Sequence, residues 1–204
     1  MELRDFHCDS LELTAQFAQE DFDNKAFVED VQPEKGKPFA WSFGSKDKQN
    51  GDHAHMSIRF PPEELGRLRL SYHRGASPEP DVRPPYLEDC ASWIGKFFKT
   101  DEVRFQIVAY YTVERRSRTA LNLPFPWVAD NEGLRGATVT GLALDFPKDA
   151  LVEHAHIERE PKDVLVSLSR HEDIALKTFD PYAQLEAFNS PLNLLLGEEK
   201  TDNG

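Results

Sequence analysis

The chain has almost none of the features that mark exported, membrane-spanning or metal-clamped proteins. Its 204 residues contain only 2 cysteines, Cys8 and Cys90, and no Cys-x-x-Cys pair. The longest apolar run, at 194–196, is far too short to cross a bilayer. Residues 1–5 lack the basic segment and the apolar core of a secretory signal. We therefore expect a reduced, cytoplasmic protein that does not associate with membranes.

Familiar catalytic motifs and excess positive charge are also missing. The sequence has no Gly-rich phosphate loop and no Gly-x-Ser-x-Gly elbow, and we expect no cofactor. With 36 acidic against 24 basic residues, the formal net charge is −12. Such a chain is repelled on average by phosphate backbones, so nucleic acid is not an expected partner.

Large apolar side chains and clear periodicities are present. The 14 Phe, 3 Trp and 5 Tyr residues can fill the core of a chain of this length without disulfides. Alternation of apolar and polar residues predicts half-buried strands, most clearly at 105–113. Helical spacing predicts a helix at 87–97, and Asp180-Pro181 opens a second helix, which Pro191 should kink or divide. The pattern is that of an α+β fold. The other predicted strands are 11–17, 39–43, 53–60, 67–73, 139–146, 154–160 and 164–171.

Short motifs recur in the same order in the two halves, which suggests an internal duplication. The implied fold has two units, 1–100 and 101–197, packed as one compact domain and followed by a frayed polar tail at 198–204. Each unit would have about four antiparallel strands closed by a C-terminal helix. The alternative is one continuous domain whose halves resemble each other by chance. The matches are His53-Ala54-His55 with His154-Ala155-His156, Leu70–His73 with Leu168–His171, and Pro85-Tyr86 with Pro181-Tyr182.

Most of the histidines fall within these matches, on the polar faces of predicted strands. If 53–60 and 67–73 form a hairpin around Glu63, His53 lies opposite His73. A His-x-His pair plus a histidine on the next strand can offer three nitrogens to a zinc ion. The alternative, which we adopt, is an exposed polar face that holds no metal. The candidate ligands are His53, His55, His73, His154, His156 and His171.

The segment His55-Met56-Ser57-Ile58 resembles one signature of the two-histidine phosphoesterases. In that family, two His-x-Ser/Thr motifs from two pseudo-symmetric halves flank a phosphate. The matching place in the second half reads His154-Ala155-His156-Ile157, with histidine where the family has a hydroxyl. The resemblance implies an acid and a base drawn from His55, Ser57, His154 and His156.

Two further features predict contact surfaces. Phe125 and Trp127 lie in a Pro-rich connection, where they can anchor a partner or plug the core. Arg59, Arg67 and Arg69 share the polar face of the first predicted hairpin, whereas the second carries Glu158 and Glu160.

Because no catalytic set is complete, the sequence favours a binding role. We expect a non-catalytic accessory or adaptor subunit of a bacterial-type intracellular assembly, with another protein subunit or a second copy of the chain as partner. The alternatives are a phosphoesterase with the chemistry described above, and a small-ligand-binding protein with a cavity between sheet and helix.

Overall fold

A computed structural model describes residues 6–31, 40–46, 53–74, 87–114, 141–147, 150–159 and 163–196. These residues form an antiparallel sheet of eight strands together with α-helices, which confirms the α+β class. Short 3₁₀ helices lie at Gln19–Asp21 and Leu176–Thr178. The strands are β1 (Phe6–Phe17), β2 (Ala40–Lys46), β3 (His53–Arg59), β4 (Gly66–His73), β5 (Val103–Glu114), β6 (Gly141–Asp145), β7 (His154–Arg159) and β8 (Asp163–Ile174). The helices are α1 (Asn24–Val31), α2 (Leu87–Gly95) and α3 (Pro181–Leu196).

The strand order is β2-β3-β4-β1-β5-β8-β7-β6. Strands β1 and β5 therefore lie side by side at the centre of the sheet. Strands from residues 1–100 extend to one side of this centre, and strands from residues 101–197 extend to the other. One continuous sheet thus runs through both of the predicted units.

The two faces of the sheet differ because side chains alternate along each strand. Leu11 and Leu13 of β1, like Phe105 and Ile107 of β5, have no exposed surface. They share one apolar core with Ile94 of α2 and with Phe188 and Leu192 of α3. Arg170 of β8 also donates a hydrogen bond of 2.6 Å to Gln184 of α3. The helices therefore cover one face of the sheet, and mostly polar side chains occupy the other, together with the exposed Tyr110 and Leu165.

Helix α1 was not predicted from the sequence. The carboxylate of Asp23 accepts a hydrogen bond of 3.0 Å from the backbone N–H of Ala26, which caps the first turn. Phe27 is fully buried among aromatic rings, and the Trp93 indole donates a 2.9 Å hydrogen bond to Asp30. Eight residues give too short an apolar stripe to recognise, so tertiary packing determines this helix.

Helix α3 continues past Pro191, which lies inside it, so of the two predicted effects, a kink or a division, the division does not occur. Its first turn is capped as expected, because Asp180 accepts a 3.4 Å hydrogen bond from the N–H of Ala183. Within the described ranges, no helix has the length and apolarity that a membrane span requires.

Candidate functional site

The polar face of the sheet carries a groove that crosses its centre. The groove has a volume of about 540 Å³. Its lining side chains include four arginines and a histidine but no aspartate or glutamate. In a chain of net charge −12, this is a local reversal of sign. The lining residues are Thr14, Ala15, Gln16, Ser57, Arg59, Arg67, Leu68, Arg69, Arg104, Gln106 and His171.

Strand register explains how distant segments meet in this groove. Pairing places Ser57 opposite Arg69, Arg69 opposite Thr14, Thr14 opposite Gln106, and Gln106 opposite His171. These residues form one row across β3, β4, β1, β5 and β8. The next row begins with Arg59 opposite Arg67 and continues with Arg67 opposite Gln16. Because neighbouring strands are about 4.8 Å apart, the first row is roughly 19 Å long.

The arginines of the groove are unequally neutralised. Arg67 pairs with Glu64 at 2.9 Å, Arg69 with Glu12 at 2.7 Å, and Arg104 with Asp173 at 3.3 Å. Within the described part of the chain, Arg59 has no ion-pair partner, although it lies directly opposite Arg67. Like charges in this position repel each other, and Glu64 offsets the charge of Arg67 but not that of Arg59.

At the far end of the groove, His171 is held by a carboxylate. Its Nδ1 atom lies 2.6 Å from Glu153 Oε2. The hydrogen bond from His171 lowers the pKa of Glu153 below its usual value, so this carboxylate stays ionised. With Nδ1 engaged, His171 has its Nε2 atom left to interact with a molecule in the groove.

Next to the groove, β3 and β4 bring two histidines together as the predicted hairpin requires. His53 lies opposite His73, and their rings stack with centroids 4.9 Å apart and 24° between the planes. The turn is centred on Glu63, whose φ of 60° is left-handed. Burial, and then the charge of His53, lower the pKa of His73, which favours its neutral form.

The second hairpin does not repeat this arrangement. His154 lies opposite Ser169, and His156 lies opposite Ser167, so neither faces His171. His154 Nδ1 instead lies 2.7 Å from Asp145 Oδ1 on β6. The recurring motifs therefore occupy different pairing positions in the two halves of the sheet.

The residues implied by the phosphoesterase resemblance lie far apart. His55 and Ser57 are on β3, whereas His154 and His156 are on β7. Five strand spacings separate these strands, which is about 24 Å. The sheet does not bring the two pairs of side chains around one phosphate.

Other predicted sites have different outcomes. Among the described residues, no group of three or more His, Cys, Asp or Glu side chains could hold a metal ion. Glu158 is exposed on the polar face of β7. Phe125, Trp127 and Glu160 lie outside the described residues, so their interpretation as contact residues stays a prediction.

The sequence did not single out Thr14, Gln16, Arg104 or Gln106 as site residues. Each lies between buried apolar positions of β1 or β5, and this alternation alone places them on the polar face. What local pattern cannot supply is the neighbour of each strand. Only the pairing of β4 with β1 and of β1 with β5 joins these residues to Arg67 and Arg69.

No protein-family model, no curated protein and no solved structure matches this chain.

Proposed function

We propose that this protein is a non-catalytic accessory or adaptor subunit of an intracellular assembly of bacterial type, and that it binds an acidic segment of another protein. The observation that carries this proposal is the basic groove across the polar face of the sheet. Its lining combines Arg59, Arg67, Arg69 and Arg104 without any acidic residue.

A bound anion would neutralise Arg59, the groove arginine that has no ion-pair partner among the described residues. Arg59 and Arg67 are directly opposed on β3 and β4, and Arg69 lies diagonal to Arg59. Opposed like charges destabilise a strand pair by a few tenths of a kcal/mol or more. Carboxylates accept paired hydrogen bonds from guanidinium groups, so a carboxylate between these arginines would remove the repulsion and add charge-assisted hydrogen bonds.

A protein segment fits this groove better than a nucleic acid. The affinity of a protein for a nucleic acid comes largely from the counterions that are released as each phosphate is neutralised by a lysine or arginine. A nucleic-acid site therefore needs many unpaired cations. Here three of the four arginines already have acidic neighbours, and the whole chain has a net charge of −12. A partner with a few negative side chains avoids most of this repulsion.

Affinity capture with matched variants tests the proposal. The tagged protein is compared with Arg59→Glu/Arg69→Glu, which reverses the charge of the groove, and with Lys96→Glu at an exposed position directly after α2. Mass spectrometry then identifies the proteins retained from native lysate.

We expect a partner that the unmodified protein and Lys96→Glu retain, that the double variant loses, and that about 0.5 M salt releases. Equal capture by the double variant, with its melting temperature unchanged, would refute binding through the groove.

We also propose that the fold arose by duplication. The sheet order supports this, because β1-β4-β3-β2 on one side of the centre corresponds to β5-β8-β7-β6 on the other. A helix follows each set of strands, α2 after β4 and α3 after β8. Failure of residues 37–98 to superpose on residues 136–196 with the same strand order would contradict this origin.

A further inference from the structure

The cations of the groove lie in two groups, with β1 between them. Arg59, Arg67 and Arg69 belong to β3 and β4, whereas Arg104 belongs to β5. The side chains that β1 contributes between the two groups, Thr14 and Gln16, are neutral. A ligand that uses the whole groove must therefore present anionic groups at two separate points.

The sheet sets the distance between these points. Arg104 is two strand spacings from β4 and three from β3. At about 4.8 Å for each spacing, the separation is roughly 10–14 Å. A small anion such as phosphate fills only part of this separation, whereas a longer ligand can contact both groups at once.

An extended peptide can span this distance with side chains four positions apart. Each residue of an extended chain advances about 3.3 Å, so positions i and i+4 are about 13 Å apart. Because side chains alternate, those two positions also point to the same side of the peptide, whereas i and i+3 do not. We propose that the groove binds an extended acidic segment, crossing the strands, with two carboxylates at positions i and i+4. This inference rests on the proposed function.

The polar groups of the groove favour an extended segment over a helix, because the backbone N–H and C=O groups of a helix already bond to each other. Helical side chains at i and i+7 are also about 10 Å apart, but a helix is at least about 10 Å wide. Between the two arginine groups, Thr14, Gln16 and Gln106 offer hydroxyl and amide groups to the backbone of an extended ligand.

Two of the three ion pairs at the margin, those of Arg67 and Arg104, are too exposed to prevent this binding. The side chains of Arg67 and Glu64 are each 58% exposed, and those of Arg104 and Asp173 are 64% and 53% exposed. Exposed pairs of this kind contribute about 0–1 kcal/mol. A ligand carboxylate can therefore share or replace Glu64 and Asp173 at little expense.

Labelled synthetic peptides test the inference by fluorescence anisotropy at low salt. Each nine-residue peptide contains two glutamates in a neutral, non-helical sequence, separated by one, two, four or seven positions. The full-length protein is compared with Arg59→Gln, Arg104→Gln and the control Lys96→Gln. We expect the i, i+4 peptide to bind at least about tenfold more tightly than the i, i+1 peptide, since only the former contacts both arginine groups. Arg104→Gln should remove this preference, and Lys96→Gln should keep it.

The outcomes separate this inference from the proposed function. Equal binding of all the peptides, weakened by Arg59→Gln, would overturn the spacing rule and leave the basic groove as a binding site. If no peptide binds, and the Arg59→Glu/Arg69→Glu variant still captures the same proteins from lysate, both the spacing rule and the proposed function would be overturned. Complete displacement by an equal concentration of inorganic phosphate would indicate a small-anion site. Tighter binding of an additional, longer helix-forming peptide with glutamates at i and i+7 would overturn the extended mode. Dimerisation that Arg59→Gln abolishes would assign the groove to a second copy of the chain.

Discussion

Replacing Gly66 with alanine should destabilise the protein although the backbone there can accept a side chain. Gly66 begins β4 and lies opposite Phe17 of β1. A Cβ atom at this position would lie 2.4 Å from Cζ and 2.5 Å from Cε2 of the Phe17 ring. The φ angle of Gly66 is not in the left-handed region, so the effect would be steric.

Phe17 cannot easily move away from the added methyl group. Its ring packs edge-on against Phe98 with centroids 4.9 Å apart and against Phe60 at 6.0 Å, and it contacts Phe22 at 5.6 Å. Overpacking of such a core destabilises a protein by about 1–3 kcal/mol. Alanine returns less than about 1 kcal/mol by restricting the unfolded chain. We therefore expect Gly66→Ala to lower the free energy of unfolding by about 2 kcal/mol, or the melting temperature by about 4–8 °C.

A double-mutant cycle with Phe17→Ala measures the clash directly. Phe17→Ala alone should destabilise the protein by about 3–5 kcal/mol, because it leaves a cavity. In that background the added methyl group has room, so Gly66→Ala should be neutral or slightly stabilising. Urea titrations followed by circular dichroism give each free energy. If Gly66→Ala has the same effect with and without the Phe17 ring, then contact with this ring is not why residue 66 is glycine.

Three further predictions concern side chains outside this cluster. Trp127→Ala should abolish partner capture at an unchanged melting temperature if this residue is an anchor; a large fall in melting temperature would show that it plugs the core. Because the pKa of His73 is lowered in the folded protein, its contribution to stability is complete above about pH 6.5 and is lost as the pH falls through the lowered pKa. His73→Gln should therefore flatten the fall in melting temperature between about pH 7 and pH 5, and an unchanged slope would contradict this. Calorimetry with zinc should show no binding by His53, His55 and His73, because the stacked rings of His53 and His73 direct their nitrogen lone pairs side by side rather than towards one point.

Local pattern was sufficient where neighbouring segments of the chain pair with each other. Strands β3 and β4 are joined by a short connection that contains Pro61-Pro62. The alternation of apolar and polar residues along them was enough to predict which side chains point inward and that His53 lies opposite His73. The central pairing of β1 with β5 joins residues almost 100 positions apart, such as Leu13 and Ile107. No local preference encodes that contact, so the groove could not be assembled from the sequence.

The repeated motifs were misleading about register for a specific reason. His53 and His73 are 20 positions apart, whereas His154 and His171 are 17 positions apart. The register of β7 with β8 places Ser169 rather than His171 opposite His154. The different spacing and register of the second hairpin thus separate His154 from His171, which an alignment of the motifs would place opposite each other.

The two halves of the sheet also show that the fold does not require the arginines of the groove. Strands β4 and β8 occupy corresponding places, each next to a central strand. Matching Leu70-Ser71-Tyr72-His73 with Leu168-Ser169-Arg170-His171 places Arg67 and Arg69 at the positions of Leu165 and Ser167. Strand β8 pairs with both β5 and β7 although it has Leu165, which is exposed, and Ser167, which is half-exposed, at these positions. Strand formation therefore does not depend on cations there. Any polar side chain would keep these exposed positions soluble. A pair of arginines directly opposite each other is among the less favourable choices, because like charges repel. Arg67 and Arg69 are paired with Glu64 and Glu12 at 2.9 and 2.7 Å, so the proposed binding role depends most on Arg59, the groove arginine without an ion-pair partner among the described residues.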